Sequence, residues 1–285
     1  MRIRVMTEKD VSAGLRLNTL CGWNQTAADW LRFLKQSPNG CFVMKQDTNV
    51  VGTATTISYQ NRFAWIGMVL VDPERRKQGI GTQLLNKTIE YLDQCHISTM
   101  KLDATPQGKP LYAKLGFVSE YEIERWIVKR SAADSVSPTS RRTPAGLTRV
   151  QLDQICKLDK ELFGADRGFL LHSLQDQAPE FTMAVWEQES AQGYCFGRRG
   201  LFADHLGPWM STSRAVAEKL LHAFLSQSSR DTVIVDCFQS NSMTLELLNS
   251  CGFTLSRRLT RMVRGPNTHP GRPDSLCAIL GPEFG

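Results

Sequence analysis

The sequence predicts a mixed α/β protein built as two similar halves, and three observations carry that reading. The first half, up to residue 125, alternates β-rich runs with amphipathic helical ones in the order β-α-α-β-β-β-α-β-α-β. Residues 131–146, SAADSVSPTSRRTPAG, combine Ser, Thr, Ala and Pro with almost no large apolar side chain, which is linker composition. The third is an echo: LYAKLGF at 111–117 returns as LELLNSCGF at 245–253, so that Gly252 repeats Gly116. The boundaries expected from this are 1–130, a linker over 131–146, and 147–285 with a terminal tail.

In chain order, 3–6 reads as a strand. Thr7-Glu8-Lys9-Asp10 has capping-box spacing and starts a helix carrying Val11, Leu15 and Leu20. Thr26-Ala27-Ala28-Asp29 starts another with Trp30, Leu31, Phe33 and Leu34, stopped by Pro38-Asn39-Gly40. Strands follow at 41–45, 50–59 and 63–71. A helix over about 79–94 puts Ile80, Leu84, Leu85, Ile89 and Leu92 on one stripe. A strand at 99–103, a short helix at 108–115 and a strand at 117–125 complete the half. Near the end of the second half, GPNTHPGRPDS at 265–275 reads as a loop before a last strand at 276–280.

Composition narrows the class. Of 285 residues, 41% are hydrophobic and 22% charged, which suits a globular chain and not a disordered one. No apolar run approaches the roughly 20 residues that span a bilayer, and the N-terminal stretch lacks the apolar core of a signal peptide. The eight cysteines stand singly, without CxxC pairs or neighbouring His clusters, so neither a disulfide nor a zinc framework is expected. Two glycosylation-like triplets, at Asn24 and Asn86, then read as chance. The net charge of +6 comes from dispersed Arg and Lys, the pattern of a solvated surface and not of a nucleic-acid patch. The expectation is a cytoplasmic monomer or homodimer that engages no membrane, nucleic acid or metal.

Chemistry concentrates in VDPERRKQGIGTQLL at 71–85. A Walker loop, GxxxxGK[ST], is absent, and the dinucleotide pattern GxGxxG lacks its third glycine because Leu84 stands there. Arg76-Lys77-Gln78-Gly79-Ile80-Gly81 fills a third pattern, Arg/Gln-x-x-Gly-x-Gly/Ala. Glycines let the backbone approach a pyrophosphate, successive N–H groups at a helix start point at it, and Arg75, Arg76 and Lys77 add positive charge. Taken alone, this short pattern also fits a plain strand-to-helix turn.

The loop, together with LYAKLGF further on, resembles the GCN5-related N-acetyltransferase (GNAT) family over residues 1–125. The resemblance implies a mixed, mostly antiparallel twisted sheet flanked by helices. It further implies that Arg76 to Thr82 (Arg76, Lys77, Gln78, Gly79, Ile80, Gly81 and Thr82) hold the pyrophosphate of acetyl-CoA, and that the backbone of Val69, Leu70 and Val71 pairs with the pantetheine arm as an added strand. Tyr112, at the tyrosine of LYxxxGF, is implied as the acid for the departing thiolate. Packing over the cofactor is its other reading. Thr105 stands where many family members have Asn. Asp103 is either a turn cap or the base that takes the amine's proton, and Trp23 and Asn24 line the acceptor pocket or, for Trp23, join the core. The function so implied is transfer of an acetyl group to a primary amine of a small molecule or peptide, directly in a ternary complex. A non-catalytic acyl-CoA sensor or scaffold is the alternative.

The second half resembles a diverged copy, as in bacterial proteins that follow an active acetyltransferase domain with an altered one. With Gly116 laid on Gly252 and the rest carried over at the same spacing, Gly79, Gly81, Arg76 and Tyr112 fall on Ala215, Ala217, Thr212 and Leu248. A loop of the same length is expected there, stripped of its phosphate chemistry. One CoA per chain follows, with His205 and Trp209 of ADHLGPWM expected near the mouth of the first site.

Overall fold

The computed structural model describes residues 1–130 and 146–285, so the expected linker, apart from Gly146, lies outside the described residues. The elements are β1 (Arg2–Val5), α1 (Val11–Cys21), α2 (Ala27–Gln36), β2 (Phe42–Gln46), β3 (Asn49–Tyr59), β4 (Phe63–Val71), α3 (Ile80–Gln94), β5 (Met100–Ala104), α4 (Lys109–Lys114) and β6 (Val118–Lys129). After the linker come α5 (Arg149–Phe163), α6 (Gly168–Gln177), β7 (Met183–Glu187), β8 (Ser190–Arg199), β9 (Asp204–Ser211), α7 (Arg214–Gln227), β10 (Thr232–Phe238), α8 (Ser242–Ser250), β11 (Thr254–Arg264) and β12 (Leu276–Ala278). The fold is the mixed α/β, largely antiparallel arrangement that the sequence predicts. No helix among the described residues is long and apolar enough to cross a membrane.

Two compact units form, and they do not follow a single cut at the linker. One holds residues 1–120 with 261–268 and 283–285, the other 121–260 with 269–282. Most of β6 therefore belongs to the second unit and the end of β11 to the first. The reason lies in the ladders. β6 pairs antiparallel with β10 from Ile123–Phe238 to Lys129–Thr232, and the end of β11 completes the first unit's sheet beside β5.

In the first unit the strand order is β1-β2-β3-β4-β5 and then β11. β1 to β4 are antiparallel neighbours, whereas β4 and β5 run parallel. Both capping boxes form: the Asp10 carboxylate accepts from the Thr7 N–H at 2.9 Å, and Asp29 from the Thr26 N–H at 2.7 Å. Ala64 and Ile66 of β4 face Leu85, Ile89 and Leu92 of α3, with Met100, Leu102, Phe117 and Met262 in the same core. The second unit orders its strands β6-β10-β12-β9-β8-β7 around Phe181, Leu206, Trp209, Leu221, Phe224, Val235 and Leu248.

One ion pair recurs in each unit. Arg261 donates to Asp103 through Nε and Nη2, both at 2.8 Å, and the two side chains are 6% and 0% exposed. Arg125 grips Asp236 in the same way, at 2.7 and 2.6 Å. Each Asp lies just beyond the position where its strand pairs with the preceding parallel one, Met100 opposite Ala64 and Val233 opposite Asp204. Burial alone disfavours a charge on Asp236, but the Arg125 guanidinium, with His205 at 3.0 Å, outweighs it and holds the carboxyl below the usual range. His205 is pushed down by burial, with Asp236 pulling the other way.

Removing one partner from such a pair strands a buried charge. Arg261→Met and Arg125→Met are each expected to cost about 3–5 kcal/mol, read as a lower urea midpoint. Adding Asp103→Leu or Asp236→Leu to the respective variant should recover most of the loss. Singles and doubles of equal stability would contradict this account.

Candidate active site

The site begins with a flaw in β4. Its ladder to β3 slips between Thr53–Leu70 and Thr55–Gly67, and Met68 at the slip takes a positive φ of 50°. Such a backbone is costly for a side-chain-bearing residue, and here the Thr53 hydroxyl holds it by donating to the Met68 carbonyl at 2.8 Å. On its other edge β4 pairs with β5 at Ala64–Met100 and Trp65–Lys101. Among the described residues no later position of β4 pairs with β5. The strands part there, and the edge carrying Val69, Leu70 and Val71 faces a wedge.

The loop after β4 leads from the wedge to α3. Asp72 accepts from the Glu74 N–H at 3.2 Å and from Arg16 at 3.0 Å, closing a tight turn over Pro73–Arg75. Arg75, Arg76, Lys77 and Gln78 are exposed. Gly79, at φ 77°, is the residue before α3, and no side chain among the described residues caps the helix. The first-turn N–H groups of Ile80, Gly81 and Thr82 therefore point out with the helix dipole behind them. Gly81 is instructive because a Cβ there would meet only Leu111 and Val71, both at 3.7 Å, which is ordinary contact. The protein's own packing does not require glycine at 81.

Around this frame the other predicted residues fall as follows. The α1–α2 loop carries Trp23, half-buried, and Asn24, buried. Cys21, just before it, has its thiol 3.8 Å from the Val71 carbonyl, so the loop lies beside the end of β4. Tyr112 on α4 is half-buried with its ring edge-on to Phe117, and desolvation pushes its phenol up to about 12. Thr105 uses its hydroxyl to accept from the Gly108 N–H at 3.2 Å, capping the turn into α4. Asp103 has both oxygens engaged by Arg261, whose guanidinium also lies 4.4 Å from the Trp65 ring.

The second unit differs at each of these points. β12 lies where its wedge would be: Leu276 and Ala278 pair with Met210 and Trp209 of β9, and Ala278 with Cys237 of β10. The Asn241 side chain donates to the Leu276 carbonyl at 3.0 Å, so the Asn that Thr105 replaces in the first half is spent on β12. The expectation of equal loops is not met. Only Thr212 and Ser213 separate β9 from α7, against the whole of 72–79 between β4 and α3, because β9 runs extended to Ser211 and passes straight into the helix. The Ser213 side chain accepts from Val216 N–H and caps α7. His205 and Trp209 are core residues of the second unit. They are 1% and 0% exposed, because β9 is an inner strand flanked by β8 and β12.

Sequence reasoning misses Arg261, Lys101 and Tyr59. Arg261 has a signal, since Arg125 and Arg261 stand at the same distance past the glycine of GF. Lys101 has none: it is 3% exposed, its Nζ lies 4.8 Å over the Phe63 ring, and burial pushes it down to about 8.

A model of the acetyltransferase (GNAT) family matches residues 15–117, and a model of an acetyltransferase (GNAT) domain matches 155–278. The chain belongs to the GNAT acetyltransferase superfamily, with a GNAT module in each half. It is 24% identical over 265 residues to a holothin acyltransferase of Pseudoalteromonas sp. (strain SANK 73390), covering 92% of this chain and 87% of that one. An uncharacterized N-acetyltransferase, YitH, of Bacillus subtilis (strain 168) is 25% identical, over 75% and 74%. In fold, the chain resembles a putative acetyltransferase from Pyrococcus horikoshii with a TM-score of 0.79 at 23% identity, over 100% and 95% of the two chains. A tandem GNAT protein from the clavulanic acid biosynthesis pathway gives 0.62 at 14%, over 93% and 99%. Proteins of this family use acyl-CoA, and the open wedge, uncapped helix and spare room at Gly81 fit one.

The two glycines should separate cleanly. Gly79→Ala forces a Cβ into left-handed backbone and is expected to cost about 1–2 kcal/mol. Gly81→Ala sits in ordinary helix and should leave stability unchanged or raise it by up to about 1 kcal/mol. Thermal unfolding of the two variants checks this, and equal losses would contradict it.

Proposed function

We propose that the first unit is an acetyl-CoA-dependent N-acetyltransferase acting on a primary amine by direct transfer. The observation that carries this reading is the α3 N-terminus, left without a side-chain cap at the end of a parted β4 edge. Relatives named as acyl- and acetyltransferases support the reaction class. Eight free thiols suit a reducing cytoplasm.

Acetyl-CoA supplies the acetyl group as a thioester. The amides of Ile80, Gly81 and Thr82, with Arg76 and Lys77 alongside, hold the pyrophosphate. The N–H and C=O groups of Val69, Leu70 and Val71 on the parted edge bind the amide-bearing arm in the manner of a strand. The acceptor arrives as an ammonium and loses two protons: as its N–C bond forms and the C–S bond breaks, the products are an amide, a free thiol and one released proton. The Tyr112 O–H gives its hydrogen to the departing sulfur. A phenol at about 12 stays protonated throughout the neutral range, so Tyr112 acts as donor and never as base. Asp103, tied to Arg261, fixes the β5 end of the wedge; of the acceptor's two protons, one leaves to water before attack and the second restores the Tyr112 hydroxyl through water. Trp23 and Asn24 border the acceptor side.

In the second unit, β12 stands in the place of the pantetheine arm and Ser213 in the place of the phosphate. Calorimetry should accordingly find one CoA per chain, and two equivalent sites would sink this reading. Gly81→Glu should abolish binding through bulk and like charge against the pyrophosphate.

Tyr112→Phe should lower kcat on the order of 10²-fold at nearly constant acetyl-CoA affinity. Below about pH 11 the wild type should show no alkaline loss of activity arising from Tyr112. Lost affinity with an intact kcat would reduce Tyr112 to packing. Binding of CoA without transfer to any amine of a broad panel would favour a sensor over an enzyme.

A further inference from the structure

A short segment far along the sequence belongs to the first unit. Glu283, Phe284 and Gly285 are buried there, Glu283 at 1% and Phe284 at 0% exposure. The Phe284 ring stacks on Phe33 of α2, with centroids 4.7 Å apart and planes 13° from parallel. Its carbonyl accepts from the Tyr59 hydroxyl at 2.7 Å. The Glu283 carbonyl sits only 2.5 Å from where a Cβ on Gly67 would be, so the segment fills the space that this glycine leaves.

Gly67 lies two residues past Trp65, the last position of β4 paired with β5, and immediately precedes the bulged Met68. Strand alternation puts Gly67 on the face of β4 shared with Phe63 and Trp65, opposite Ala64 and Ile66, which pack on α3. The backbone of 283–285 is thus laid over β4 beside the start of the wedge, on the face away from α3. We propose that Glu283–Gly285 is the wall of the acceptor site and restricts the acceptor to a short amine. An extended peptide crossing β4 on this face would need the room that the segment fills, and α2 clamps the segment from above through Phe33. The inference rests on the acyl-transfer reading and adds the acceptor class to it.

The test uses the full chain, calorimetry with acetyl-CoA, and thiol release with short amines (putrescine, spermidine, tyramine) against free-amine octapeptides. Wild type, Phe284→Ala and Tyr59→Phe are compared. All three should bind acetyl-CoA within about twofold. The wild type should favour at least one short amine over the octapeptides by tenfold or more in kcat/KM. Phe284→Ala should shrink that ratio at least fivefold, mainly through KM. If no amine is taken, release to water is the readout, and Phe284→Ala should raise it at least fivefold. A wild type that prefers octapeptides, or a folded Phe284→Ala with unchanged ratio and unchanged release to water, overturns the proposal. If Phe284→Ala does not fold, Tyr59→Phe, which loses one hydroxyl, decides by the same ratio and rate. Failure of the wild type to bind acetyl-CoA is a different result, which removes the acyl-transfer reading itself.

Discussion

Arg261 meets Asp103 through two bonds of 2.8 Å, and Arg125 meets Asp236 through bonds of 2.7 and 2.6 Å. Taking these charges out of water is costly, and only a partner in bidentate geometry compensates for it. In both units the arginine comes from a strand that the chain reaches by crossing out of its own half. The pair therefore fixes which strand lies beside β5 and which beside β10, and in which register. In the first unit Arg261 also lies over Trp65, so the lower part of β4 is held against β5 while the upper part is free to diverge. The wedge depends on that contrast between a fastened end and an open one.

The same architecture then gives two outcomes. In the first unit the wedge leads to a helix whose first amides meet no side-chain cap and to a loop of exposed cations. In the second, the short strand β12 closes the wedge and a serine caps the helix. Each substitute engages backbone groups whose counterparts in the first unit are left open. Backbone polar groups in such a place have to find partners, and the second unit finds them within its own chain.

Much of the first unit is legible in the sequence because its signals are local. Two Thr-x-x-Asp boxes set helix starts, the Leu84-Leu85-Ile89-Leu92 stripe sets α3, and the glycine pattern marks the loop that leads into it. What escapes depends on contacts between distant residues. Asp103 reads as a turn cap or a base because Arg261 lies 158 positions away. The burial of His205 and Trp209 is also unreadable locally, since it depends on β12, which arrives much later in the chain. Laying Gly116 on Gly252 aligns GF with GF correctly, yet it misjudges the loop before α7, since an insertion or deletion within a repeat leaves no mark in a fixed offset. Gly67 carries no signal at all, as its role depends on Glu283.

The strand exchange has a consequence for synthesis. As the chain leaves the ribosome, residues 1–120 carry nearly everything the first unit needs except the strand bearing Arg261, which emerges only after most of the second unit has been made. Until then the carboxylate of Asp103 has no guanidinium to meet, and the edge of β5 lacks its neighbour. The unit cannot be completed in the order in which it is made. Its closing contacts are among the longest in sequence separation, and such contacts form slowly because the loop between them must be closed first. A nascent chain of this protein accordingly waits with one sheet edge uncovered, and that interval is when it is most exposed to chaperones and to other nascent chains.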